Sequence, residues 1–198
     1  VVTLVVVLAI VLPLLVLGAV LFVPVRRIWR QDKVTKPWRG LGTWSPGPPD
    51  ETALEWIRVA YPSGASRVLG AAHRDTITAT AYGWHRGYRI FAHEWQWHEV
   101  GAGRPRTIQR TVISIELPIS VPWLEIKRDG STGDPGFARA VLTPPVAQWL
   151  LADPRAQYYP VRFAGRRVSI AERGGLHVET LGPPADFLVE LLSRTPAI

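Results

Sequence analysis

The 198-residue chain contains no cysteine. A disulfide framework, a thiolate nucleophile and a cysteine-ligated metal site are therefore excluded. Methionine is also absent, and acidic residues are few: 16 Asp and Glu stand against 23 Lys and Arg. Residues 1–23 lack charge altogether, and Thr3 is their only polar side chain. Among the five histidines there is no HExxH and no pair at helical spacing. His93 and His98 are an odd number of residues apart and point to opposite faces of a strand. A metal site needs three or four ligands on one point, so none is expected, nor any other cofactor. No serine stands in a G-x-S-x-G turn, and the glycines at 101–103 lack the third glycine and the helix of a phosphate loop. Asp129, Asp134 and Asp153 adjoin Gly or Pro, the setting of a turn aspartate that bonds its own backbone. The chain reads as a non-enzyme.

The apolar run at 1–24 sets the architecture. A helix rises about 1.5 Å per residue, so a hydrocarbon layer about 30 Å thick requires roughly 20 apolar residues. In lipid a helix satisfies its own backbone groups, which makes a spanning helix the expected state, with Pro13 tolerated inside it. A cleaved signal peptide would need a basic n-region and a small-residue cleavage site; the run ends Leu21-Phe22-Val23-Pro24 instead. Arg26, Arg27, Arg30, Lys33, Lys36 and Arg39 follow, against Asp32 alone. Basic residues bias their end of a helix toward the cytoplasm. The expectation is a single-pass protein of the plasma (inner) membrane with its large domain cytoplasmic. The same cluster supplies five of the formal +7 charges, leaving the rest of the chain near +2. The high pI thus marks a juxtamembrane collar for anionic phospholipids and no nucleic-acid surface, with Arg26, Arg27 and Arg30 as headgroup contacts.

Residues 25–47 read as this basic collar and a Pro/Gly linker, and 48–198 as one α+β domain. Trp38 and Trp44 in the linker suit either a membrane interface or packing on the domain. Three segments open on a Pro pair, a good first helical turn: 48–60, 144–153 and 183–194. In the last, Phe187, Leu188, Leu191 and Leu192 form an apolar stripe. Strands are expected at 76–84, 88–98, 107–117, 121–127, 159–163, 168–172 and 176–181, from alternation bounded by Gly and Pro. Helices scattered among antiparallel strands give α+β. Halves 48–130 and 137–198 each mix helices with strands, which leaves open a degenerate two-fold repeat. Nine tryptophans occur, and Trp84, Trp95 and Trp97 fall in adjacent strands. They fit a core or an aromatic contact surface.

The order of these blocks carries a resemblance. An apolar helix is followed by RRIWR, a WRG linker, YGWHRGYRIFAHEWQW and FARAVLTPPVAQWLLADPR. This resembles the actinobacterial anchored-domain family that includes the mycobacterial trehalose monomycolate transport factor A. The resemblance implies an accessory subunit that binds a polytopic transporter of the RND type exporting mycolate lipid to the outer membrane. It implies no catalytic residues. The other reading is a membrane-tethered lipid-binding or lipid-handling domain with a different partner, which requires a pocket or convergent polar groups. Helices in lipid associate through close packing of small residues. Gly18 and Ala19, flanked by Leu15 and Phe22, are the expected partner-binding patch, with Trp38 below it.

Overall fold

A computed structural model describes residues 44–48, 50–61, 75–99, 106–195 and 198. The spanning segment expected at 1–24, the basic collar and Trp38 lie outside the described residues. Among the described residues no helix is long and apolar enough to cross a membrane.

The described chain is α+β: one six-stranded antiparallel sheet with helices on both faces. The strands are β1 (Trp44–Gly47), β2 (Thr76–His85), β3 (Tyr88–Glu99), β4 (Arg106–Lys127), β5 (Gly130–Gly133) and β6 (Val161–Arg173). Strands β1 to β5 follow one another in order, and β6 pairs with β4. The helices are α1 (Glu51–Ala60), α2 (Pro135–Val141), α3 (Pro144–Ala152) and α4 (Gly182–Arg194), with 3-10 turns at Pro154–Gln157 and Val178–Thr180.

Local chemistry accounts for most of these boundaries. The β2–β3 hairpin turns on Arg86 and Gly87, both at positive φ (48° and 84°). That two-residue geometry matches the twist of the strands it joins. Asp50 caps α1, its Oδ1 accepting from the amides of Thr52 and Ala53 at 3.0 and 3.3 Å. Replacing such a cap by alanine costs about 1 kcal/mol. Asp50→Ala is therefore expected to lower the unfolding free energy by about that amount. An unchanged urea midpoint would refute it. Asp134 caps α2 through a 2.7 Å bond from the Phe137 amide, and Asp153 caps the following 3-10 turn. Both are turn aspartates of the expected kind.

Several expected boundaries are corrected. Residues 107–117 and 121–127 form one strand, β4, in spite of Pro118 and Pro122. The pairing with β6 slips between Glu116 and Val121 and again between Val121 and Leu124, so the prolines fall where ladder donors are not needed. Residues 159–163 and 168–172 likewise belong to one strand, β6. Gly165, at φ 57°, bends it without ending it, opposite the extra residues of β4. The ribbon of β4 and β6 curls at this slip, and the Ser169 hydroxyl reaches the Arg162 carbonyl at 3.4 Å. Residues 176–181 are a loop and a 3-10 turn instead of a strand. Leu176 and Val178 alternate, but with Leu181 they are buried in the core under the helices, and Glu94 takes the Leu176 amide at 2.9 Å. Within the expected linker, 44–47 is strand β1, paired to the free edge of β2. Helix α2 and strand β5 were not expected. The two halves share no element order, so the degenerate repeat is not present in the described residues.

Two apolar cores flank the sheet. The larger gathers Ile90, Ile113, Ile115, Phe163 and Ile170 beneath α2, α3 and α4, including the whole Phe187 stripe. The smaller lies under α1, where Ile57 and Tyr61 meet Trp95, Trp97, Val112 and Ala164. The register explains the division. His93, Trp95 and Trp97 point to the α1 side, Ile90 and Ala92 to the other. Trp95 and Trp97 are thus core residues, while Trp84 is 63 % exposed.

Candidate functional site

The curl of β4 and β6 leaves a cavity of about 1200 Å³ on the α1 side of the sheet. Its apolar floor is Trp95, Trp97, Ile108 and Tyr61. The Trp95 and Trp97 rings lie 4.4 Å apart and the Tyr61 ring 6.0 Å from Trp95. Tyr61 follows the last turn of α1, and its hydroxyl donates to Ser169 Oγ at 3.2 Å. Burial pushes its phenol above the usual value, so it serves as a neutral donor.

Cations ring this floor. Register aligns Trp95 with Arg110 and Arg110 with Arg173, so two guanidiniums stand in the row of the indole. Arg162 approaches from the other arm of the ribbon, 4.0 Å above the Tyr61 ring. Its Nη2 lies 2.5 Å from Glu125 Oε1, while Lys127 takes Glu125 Oε2 at 3.0 Å. Arg162 Nε is buried without a hydrogen-bond partner. Arg110 and Arg173 make no ion pair among the described residues. Burial, then the nearness of Arg173 and Arg162, pushes the Arg110 guanidinium below its ordinary pKa. The wall also carries Glu172, whose carboxyl burial pushes up, against the pull of the Tyr159 hydroxyl. Cations thus outnumber carboxylates in a partly desolvated space, which is the electrostatic setting of an anion site.

A second cluster on the same face is structural. Arg167 is held between the Trp56 and Phe91 rings, at 5.0 and 4.8 Å, and Arg89 covers Phe91 at 4.9 Å. His93 stacks on Phe91 and accepts or donates to Thr80 Oγ1 at 3.2 Å. This ladder fastens the start of α1 to β2, β3 and β6.

Among the described residues no three His, Asp or Glu side chains are placed to hold a metal ion. No protein-family model, curated protein or solved structure matches the chain. The expected partner-binding residues Leu15, Gly18, Ala19, Phe22 and Trp38, and the headgroup residues Arg26, Arg27 and Arg30, all fall outside the described residues. The structure therefore brings together a different set, Tyr61, Arg110, Arg162 and Arg173, which the sequence reading passed over. One signal was present. In 107–117, Arg110 shares the parity of Ile108 and Val112, and a charged side chain on an inward-facing row rarely occurs without a partner.

Proposed function

We propose that the chain is a membrane-anchored binding domain that holds an anionic amphiphile, with 1–24 as its anchor. The observation that carries this reading is the convergence of Arg110, Arg162 and Arg173 over a floor of two indoles and a phenol ring. The guanidiniums suit a phosphate or carboxylate head, and the floor suits an acyl or other apolar body. The volume accommodates both parts, and the groups around it are positioned for binding, with no nucleophile–base pair among them.

The resemblance to the transport-factor family supports a polytopic lipid transporter as partner, with the anchor helix as the contact. The cavity speaks against trehalose monomycolate as its occupant. A trehalose ester is uncharged and would cover the half-buried Arg110 and the exposed Arg173 without supplying a counter-charge, which is costly. An anionic lipid with a different transport or sensing partner fits the charge better.

The test is a binding titration with short-chain fluorescent phosphatidic acid and its phosphatidylcholine analogue, using the full chain in nanodiscs. Phosphatidic acid is expected to bind the tighter of the two. Arg110→Ala and Arg173→Ala are each expected to weaken it about 10- to 100-fold, the value of a lost charge-assisted hydrogen bond. Equal affinity for both lipids, or unchanged affinity in folded Arg110→Ala, would overturn the proposal.

A further inference from the structure

A second surface lies away from the cavity, at the bend of the sheet. Trp84 and Tyr82 project from β2 on the α1 face, 63 % and 40 % exposed. They stand beyond the N-terminal end of α1, which begins beside Thr80, so the helix leaves them uncovered. The register sets Trp84 opposite Arg89 and Tyr82 opposite Phe91. The same end of the sheet carries the β2–β3 turn and the slip in β4, where Ile119 is 49 % exposed. Arg166 is exposed beside Gly165 of β6, across from that slip. Three large apolar side chains and the cations Arg89 and Arg166, neither in an ion pair among the described residues, thus share one end.

Apart from the exposed Glu116, its charges outside ion pairs are positive. Arg86 and His85 are engaged by Asp186, at 3.0 and 2.8 Å. Glu116 is the one carboxylate in the row of Trp84 and Arg89, and it aligns with Arg167 on β6. Arg89 and Arg166 have no carboxylate partner among the described residues.

The chain also enters the domain here. Trp44, the first residue of β1, is paired with Gly83, next to Trp84. Only 19 residues separate it from the apolar run that ends at Pro24, and six of them are Lys or Arg. The domain end that carries Trp84 is thus the one nearest in sequence to the expected anchor and its basic collar.

We infer that the bend of the sheet rests on the membrane surface, with Trp84, Tyr82 and Ile119 among the headgroups and Arg89 and Arg166 on lipid phosphates. The inference rests on the anchored reading proposed above. Indole and phenol rings favour the headgroup layer, where the apolar body leaves water and the polar atom keeps it. Arginines at the rim add about 1 kcal/mol each against an anionic leaflet. A tether then raises the local concentration of the surface at the bilayer, so weak contacts suffice. Docked this way, the chain keeps the cavity between the arms of the ribbon off the bilayer.

The absence of cysteine permits single-site labelling of the full chain. Trp84→Cys, Ile119→Cys and, as a control at the cavity rim, Tyr158→Cys would each carry bimane. The chains would be reconstituted in nanodiscs of phosphatidylcholine and phosphatidylglycerol doped with headgroup-nitroxide lipid. Quenching is expected to be several-fold stronger at 84 and 119 than at 158. It is expected to fall at both sites when phosphatidylglycerol is omitted or when Arg89→Glu and Arg166→Glu are combined. Equal quenching at all three sites would overturn the inference. So would a water-shielded, unquenched label at 84, which would assign the surface to a protein partner or a second copy. Failure of the chain to remain in the disc would remove the anchored reading itself, and this inference with it.

Discussion

Phe187→Ala is expected to destabilise the domain by about 3–5 kcal/mol, the usual cost of deleting a fully buried aromatic ring. Phe187 is 0 % exposed and stands where four elements meet. The Trp149 ring of α3 stacks on it at 5.5 Å, and Tyr159, just before β6, lies at 5.7 Å. The Arg155 guanidinium covers it at 5.4 Å, fixed by Asp153 at 2.6 Å and Glu190 at 2.5 Å. Truncation would empty the space under α4 and remove the ring that Arg155 rests on. The surrounding side chains belong to separate elements, so they cannot collapse together to refill the gap. The urea midpoint should drop without a change of slope. Tyr158→Ala, at an exposed neighbour, should stay within about 0.5 kcal/mol of the parent. If the two variants unfolded at the same midpoint, Phe187 would not be the junction described.

Acid is expected to weaken the fold through His93. Burial first, and the Arg167 charge second, lower its pKa from 6.5 to about 4, with Asp50 offsetting part of the effect. The sign follows from proton uptake. Above pH 6.5 the imidazole is neutral in both folded and unfolded chains and contributes no pH dependence. As pH falls through 6.5 the unfolded chain binds a proton that the folded one refuses. Stability is lost until the folded pKa is reached near 4, by about 3 kcal/mol in all. His93→Phe keeps the stack against Phe91 and removes the titration. Its stability at neutral pH should be lower, because Thr80 loses one of its two hydrogen-bond partners and keeps only the Asp50 amide. Its further loss between pH 7 and pH 4 should be about 3 kcal/mol smaller than that of the parent chain. Parallel stability curves for the two proteins would dismiss this account.

Much of the fold was legible because its signals are local. The Pro-led helices at 144–152 and 182–194 follow from a fixed φ at N1 and an apolar stripe, both contained within one segment. The alternation of 88–98 gives the side of each residue, and so placed His93, Trp95 and Trp97 together. Trp84, by contrast, has a strand parity that implies burial, and only the length of α1 leaves it in water. Strand β1 has no alternation of its own and exists because β2 offers an edge. The continuity of β4 through two prolines depends on where β6 slips. The cavity is the extreme case. Arg110 carried a weak local signal, but Arg162 and Arg173 reach it only because β6 pairs with β4 and bends at Gly165. A residue's face is set by its own backbone period, so the sequence determined it. Which faces meet is set by pairings between distant segments and by the bend they share, and those only the tertiary structure decided.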